Sequence, residues 1–179
     1  MTTLSGQFAR DRNSVPLTTD GLTSKTILTL VGSGATVTAP IFHVVGSVEI
    51  RGLWGVVLTD LGPNQTATYW RLNDQTANPA ITLATGTAIS AVKAGSVIVK
   101  KGVAATALTV LDNSAGRVSE PTTLETPYFS PFVAVKKTGA TTDIEFVYTT
   151  SDTPTSGSIQ FFCRFLPLST DGNLTAAST

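Results

Sequence analysis

A single cysteine and a single histidine in 179 residues leave little from which to build a metal centre or a redox couple. Cys163 has no partner for an intramolecular disulfide and lies in an apolar run, where an inert buried thiol is expected. One His and one Cys fall short of a four-ligand zinc site unless several carboxylates join them, and no acidic cluster has ligand spacing. Charge is equally scarce. Only 13% of residues are charged, about half the usual share. The 12 basic and 12 acidic side chains cancel, so there is no basic patch of the kind that binding nucleic acid by counterion release requires. Two short basic runs, Lys100-Lys101 and Lys136-Lys137, read as exposed turns or strand edges. Long hydrophobic runs are missing too: nothing approaches the ~18 apolar residues of a membrane helix. The opening MTTLSGQFARDRNSVPL has no apolar core of the signal-peptide type. Neither nucleic acid nor membrane is an expected partner.

The residues that could carry catalysis are isolated from one another. His43 sits in an apolar segment, PIFHVVG, and reads as a structural histidine. No G-x-S-x-G nucleophile elbow is present. The segment VGSGATV (31–37) has two glycines but no later one and no following helix, so it reads as a hairpin turn. Asp60, Asp74, Asp112, Glu120, Glu125, Asp143, Glu145 and Asp152 are scattered, most of them in turn-like sequence where Asp bonds its own backbone. No enzymatic activity and no cofactor are expected. Trp54, Tyr69 and Trp70 could form a stacking platform for a sugar. Core packing is the stronger expectation for Trp54, and Tyr69 and Trp70 should point to opposite faces of one strand.

What the chain has in quantity is threonine, at about one position in six, together with valine. Both suit a pleated, half-buried surface. Apolar and polar residues alternate in 25–32, 37–62, 67–74, 80–86, 88–92, 96–102, 105–113, 131–139, 143–151 and 157–168. Gly, Pro, Asn, Asp and Ser punctuate the gaps. In the longest segment, Val48, Ile50, Gly52, Trp54, Val56 and Leu58 should share one face, opposite Glu49, Arg51 and Thr59. Gly52 and Gly55 beside Trp54 mark a bulge or a close backbone approach. Many short strands with such turns predict an all-β fold, an antiparallel β-sandwich or jelly-roll-like domain over 25–168. Residues 1–24 lack any period and read as an extended N-terminal arm; 169–179 read as a polar tail.

The last strand is unusual in being apolar on both faces. Ile159, Phe161, Cys163 and Phe165 alternate with Gln160, Phe162, Arg164 and Leu166. Such a strand is expected at the centre of a sheet, or with one face against another subunit.

Three stretches carry a resemblance. FARDRNSVPLTTDGLTSKT (8–26) is similar to the arm of small structural proteins of tailed bacteriophages, with Ser14 where a basic residue is usual. GSVEIRGLWGVVLTDLGPNQT (46–66) and TPTSGSIQFFCRFLPLSTDGNL (153–174) resemble the G-V-V strand and the closing strand of phage virion β-proteins. The resemblance implies a capsid decoration (cement) protein, made in the bacterial cytoplasm and carried on the virion. It would form a homo-trimer that binds the major capsid protein, with arms reaching neighbouring subunits. Phe8, Arg10, Arg12, Val15, Phe162, Arg164 and Leu166 are the candidate subunit and capsid contacts. The alternative is a tail or head–tail accessory domain that recognises carbohydrate.

Overall fold

The computed structural model describes residues 21–32, 34–63, 65–73, 80–100, 106–111, 130–150 and 157–177. The strands are β1 (Leu22–Thr29), β2 (Thr36–Val45), β3 (Ser47–Thr59), β4 (Gln65–Asn73), β5 (Ile81–Thr82) and β6 (Val97–Lys100). They are followed by β7 (Leu108–Leu111), β8 (Phe132–Val135), β9 (Asp143–Thr150), β10 (Ser158–Pro167) and β11 (Asn173–Ala176). The fold is all-β, as the alternation predicts. Sheet one has the order β1-β10-β3-β6-β7, with β8 also paired to β3 beside β6; sheet two has the order β11-β2-β9-β4-β5. Every named strand pairing is antiparallel.

The sheets bury one face each against the other. Phe161 of sheet one meets Trp70 and Phe146 of sheet two, with ring centroids 6.3 and 4.8 Å apart. Ile41, Phe42, Ile50, Ile98, Ile144 and Ile159 fill the space around them. Burying each of these side chains contributes about 1.5–3 kcal/mol, so this layer is the main source of stability. One strand departs from the apolar rule. The inward face of β4 buries Gln65, Thr68 and the Trp70 Nε1 with no hydrogen-bond partner for those side-chain atoms among the described residues.

The C-terminal apolar strand is central. β10 lies between β1 and β3, pairing with both along nearly its whole length. Ile159, Phe161, Cys163 and Phe165 face the core, and Gln160, Phe162, Arg164 and Leu166 face outward. A strand with neighbours on both edges needs apolar bulk inside, but its outer face owes its character to something else.

Four expectations are corrected. The 31–37 segment is not a hairpin turn: β1 belongs to sheet one and β2 to sheet two, so the chain there crosses between layers. The 37–62 segment is two strands, broken at Gly46. Gly46 has φ +58°, and a Cβ on it would lie 2.4 Å from Asp171 Oδ1 and 2.5 Å from Ser169 Oγ. Only glycine takes that turn without strain. The polar tail is partly a strand: β11 pairs with β2, and Leu174 is buried in the core. Finally, β1 starts at Leu22, inside the segment read as arm.

Candidate functional site

The outer faces of the two sheets differ in chemistry. On sheet two, charged residues cross-brace adjacent strands. His43 Nδ1 lies 2.6 Å from Asp143 Oδ1, in the directly opposed pair of β2 and β9. Arg71 Nε donates to Glu145 Oε2 at 2.5 Å, and Asn73 Nδ2 donates to Glu145 Oε1 at 3.0 Å. Both carboxylates are almost fully buried beneath these partners. These pairs brace the outer face of sheet two, and the His43 side chain, 40% exposed, lies against Asp143.

On sheet one the outer face carries apolar side chains among polar ones, and the register shows their order. One row across the strands reads Ile27, Gln160, Val56, Val97, Leu111; the next reads Lys25, Phe162, Trp54, Val99, Thr109. Beyond Arg164 and Gly52 comes a row of Leu166, Glu49 and Val133. Val133 and Val135 of β8 are 56% and 58% exposed, and Ile27 is 49% exposed. Ala134 between the two valines is buried, so strand alternation fixes both of them outward.

Trp54 reaches this face through a bulge. Arg164 pairs with Gly52 but Phe165 pairs with Ile50, which leaves Arg51 as an extra residue on β3. An extra residue inverts the faces of everything beyond it. Val48 and Ile50 point inward, and after the bulge Leu53, Gly55 and Val57 do so. Trp54 and Val56 therefore turn outward, against the expectation that they share the core face with Val48 and Ile50. Trp54 stacks on Phe162 at 5.5 Å between centroids with 8° between ring planes. Trp70 is fully buried, and Tyr69 lies half-buried on the other face of β4, as expected. The three aromatics thus form no common platform. Trp54 stands alone with Phe162.

Beside the Trp54 ring is a cavity of about 470 Å³. Trp54, Val97, Val99 and Leu111 give it apolar walls, and Arg51, Lys100 and Arg164 also line it. Gly52 lines it as well, and a Cβ at that position would come within 3.3 Å of the Trp54 ring. Glu49 Oε2 accepts from Arg51 Nε and Nη2 at 3.0 and 2.8 Å. Arg164 is exposed and, among the described residues, makes no ion pair. Lys100 is only 6% exposed, which corrects its reading as an exposed edge residue. Burial holds its ammonium below the ordinary lysine range, because desolvation penalises the charged form.

The remaining candidates fall as follows. Phe162 and Leu166 are half-buried and Arg164 exposed, all three on this outer face. Phe8, Arg10, Arg12 and Val15 lie outside the described residues. Sequence reasoning missed Val133 and Val135, although the alternation in FVAV carried the signal, and missed the convergence of Arg51, Lys100 and Arg164. The latter come from three strands, and only the register brings them together. Among the described residues no group of three or more His, Cys, Asp or Glu is arranged to hold a metal. No family model, curated protein or solved structure matches the chain.

Proposed function

We propose that the chain is a structural virion protein of the capsid decoration type, acting by association rather than by catalysis. The observation that carries this reading is the exposure of apolar side chains on the outer face of sheet one, where Val133 and Val135 are each more than half exposed. Contiguous exposed apolar surface of this kind is typical of a protein–protein interface. The lower part of the face, around Leu166, Val133 and Val135, is the seam between copies in a homo-trimer. Burial of apolar area there contributes about 25 cal/mol per Å² before the costs of association. The capsid setting rests on the resemblance of residues 8–26, 46–66 and 153–174 to phage virion proteins.

The test is co-sedimentation with shells assembled from major capsid proteins of tailed bacteriophages. Saturable binding that raises the temperature at which the shells disrupt is the expected result. Shells that neither retain the protein nor gain stability would overturn the decoration reading.

A second reading, recognition of a glycan by an accessory domain of the tail or head–tail region, has its own observation. Trp54 walls a cavity of a size common for small ligands.

A further inference from the structure

Gln65, Thr68 and Trp70 are fully buried at successive inward positions of β4. A bulge makes them successive. Thr66 pairs with Thr149 and Tyr69 with Val147, so Ala67 and Thr68 together stand against Tyr148 alone. Ala67 takes φ +48°, in the left-handed region that a residue with a Cβ seldom enters. Without the extra residue, alternation from Gln65 would turn Thr68 outward. The strand therefore adopts a strained conformation that delivers a hydroxyl to the core. Four side-chain atoms on this face, Gln65 Oε1 and Nε2, Thr68 Oγ1 and Trp70 Nε1, make no hydrogen bond among the described residues. The backbone beside them is already committed. The Gln65 carbonyl accepts from Ile89 N at 3.2 Å and Ser90 Oγ at 2.9 Å, and Thr68 exchanges both its backbone bonds with Thr87. The hydroxyls that the register sets opposite are committed too. Thr150 Oγ1 donates to the Ala35 carbonyl, and the Tyr148 hydroxyl bonds the Val31 backbone.

We propose that the inward face of β4 is a binding site for structural water, with a buried water molecule joining the Gln65 carboxamide, the Thr68 hydroxyl and the Trp70 indole N–H. The chemistry of the set selects the ligand. The indole nitrogen only donates, the carboxamide oxygen only accepts, and the hydroxyl does both. A cation would meet the N–H donors and an anion the carboxamide oxygen, whereas water donates and accepts in turn. Consecutive side chains on one face of a strand stand roughly 7 Å apart, less at their tips, which two hydrogen bonds of roughly 2.8 Å through one water can span. A buried water typically makes about 3 hydrogen bonds, one for each of these three residues. Left unpaired, each group would carry the full cost of its desolvation. The water site gives the bulge its purpose, since without it Thr68 would not face Gln65 and Trp70. The inference concerns the core and is independent of association through sheet one.

The experiment is nuclear magnetic resonance of the full chain in water, joined to urea unfolding of one variant. The Trp70 Nε1–H is expected to show a cross-peak to water that arises from proximity rather than from proton exchange. Thr68→Val keeps the shape of the side chain and removes the hydroxyl. A bound water would then lose one of its partners, so the urea midpoint is expected to fall by about 0.5 M. In a dry core the same change removes an unpaired hydroxyl, and the midpoint would rise. Thr68→Ser, which keeps the hydroxyl, is expected to retain the cross-peak. No water cross-peak at Trp70 in the parent chain would overturn the proposal, and this holds even where Thr68→Val does not fold. A midpoint that rises or stays unchanged in Thr68→Val would overturn it as well. So would a crystal structure in which the Gln65 carboxamide bonds Thr68 and Trp70 directly.

Discussion

Trp54 separates what single residues reveal from what they conceal. Its neighbours Gly52 and Gly55 pointed to a bulge or close approach, and both kinds of feature are present: the bulge falls at Arg51, and the ring leans over Gly52. Which face the ring would occupy depended on the bulge position, and one residue of register decides it. Lys100 was misread for a related reason. Charge predicts exposure on average, but the end of β6 packs beneath its neighbours. The burial of Gln65, whose amide has no hydrogen-bond partner among the described residues, had no sequence signal at all, because a glutamine in a Thr-rich strand reads as solvent-facing. Tyr148 offers a quantitative check at this scale. Burial raises its phenol above the ordinary value near 10.0, against the opposing effect of its hydrogen bond to the Val31 backbone. The folded state therefore keeps a proton that the unfolded chain releases. Its contribution is complete below the unfolded value and is lost as pH climbs through the folded one. Tyr148→Phe should lower stability by about 1 kcal/mol at pH 7, through the lost Val31 hydrogen bonds. It should also remove part of the decline above pH 10. Denaturant titrations of parent and variant at pH 8 to 11 check this, and parallel curves would assign the decline to other groups.

At the scale of elements, β10 was the most legible part of the chain. Period-two alternation from Ile159 to Leu166 gave both faces correctly, and of the two positions the bulk on both faces allowed, a central strand or a face against another subunit, the structure shows the central one. The β1–β2 connection was not legible, since a glycine turn looks the same whether the chain folds back in one sheet or crosses to another. β11 escaped for want of length: four residues with one apolar side chain, Leu174, carry too little pattern. The two faces of β10 should differ sharply in energy. Phe161→Ala removes a fully buried ring that touches Trp70 and Phe146, at a cost of about 3–5 kcal/mol. Phe162→Ala removes a half-buried ring whose ring partner is Trp54, at a cost of about 1 kcal/mol. Urea unfolding of the two variants measures the contrast. Equal losses would mean that the outer face is packed as tightly as the core.

For the whole molecule, few charges and many threonines leaned to all-β, and the strand pattern pointed to a sandwich, jelly roll or small barrel; the structure is all-β with two antiparallel sheets. What composition could not show is the division of labour between the two outer surfaces. Sheet two closes itself with His43–Asp143 and Arg71–Glu145, whereas sheet one leaves Ile27, Val133 and Val135 in solvent. That asymmetry appears only when strands distant in sequence are laid side by side. It is also the basis for the proposal that the protein works by association. The most direct measurement is solution mass by light scattering, on the full chain and on a variant carrying Val133→Glu and Val135→Glu. A parent at three times the 18.6 kDa chain mass, with the variant at the single-chain value and still folded, is the predicted result. A parent that stays at 18.6 kDa at tens of micromolar, or an oligomer that the two glutamates leave intact, would contradict it.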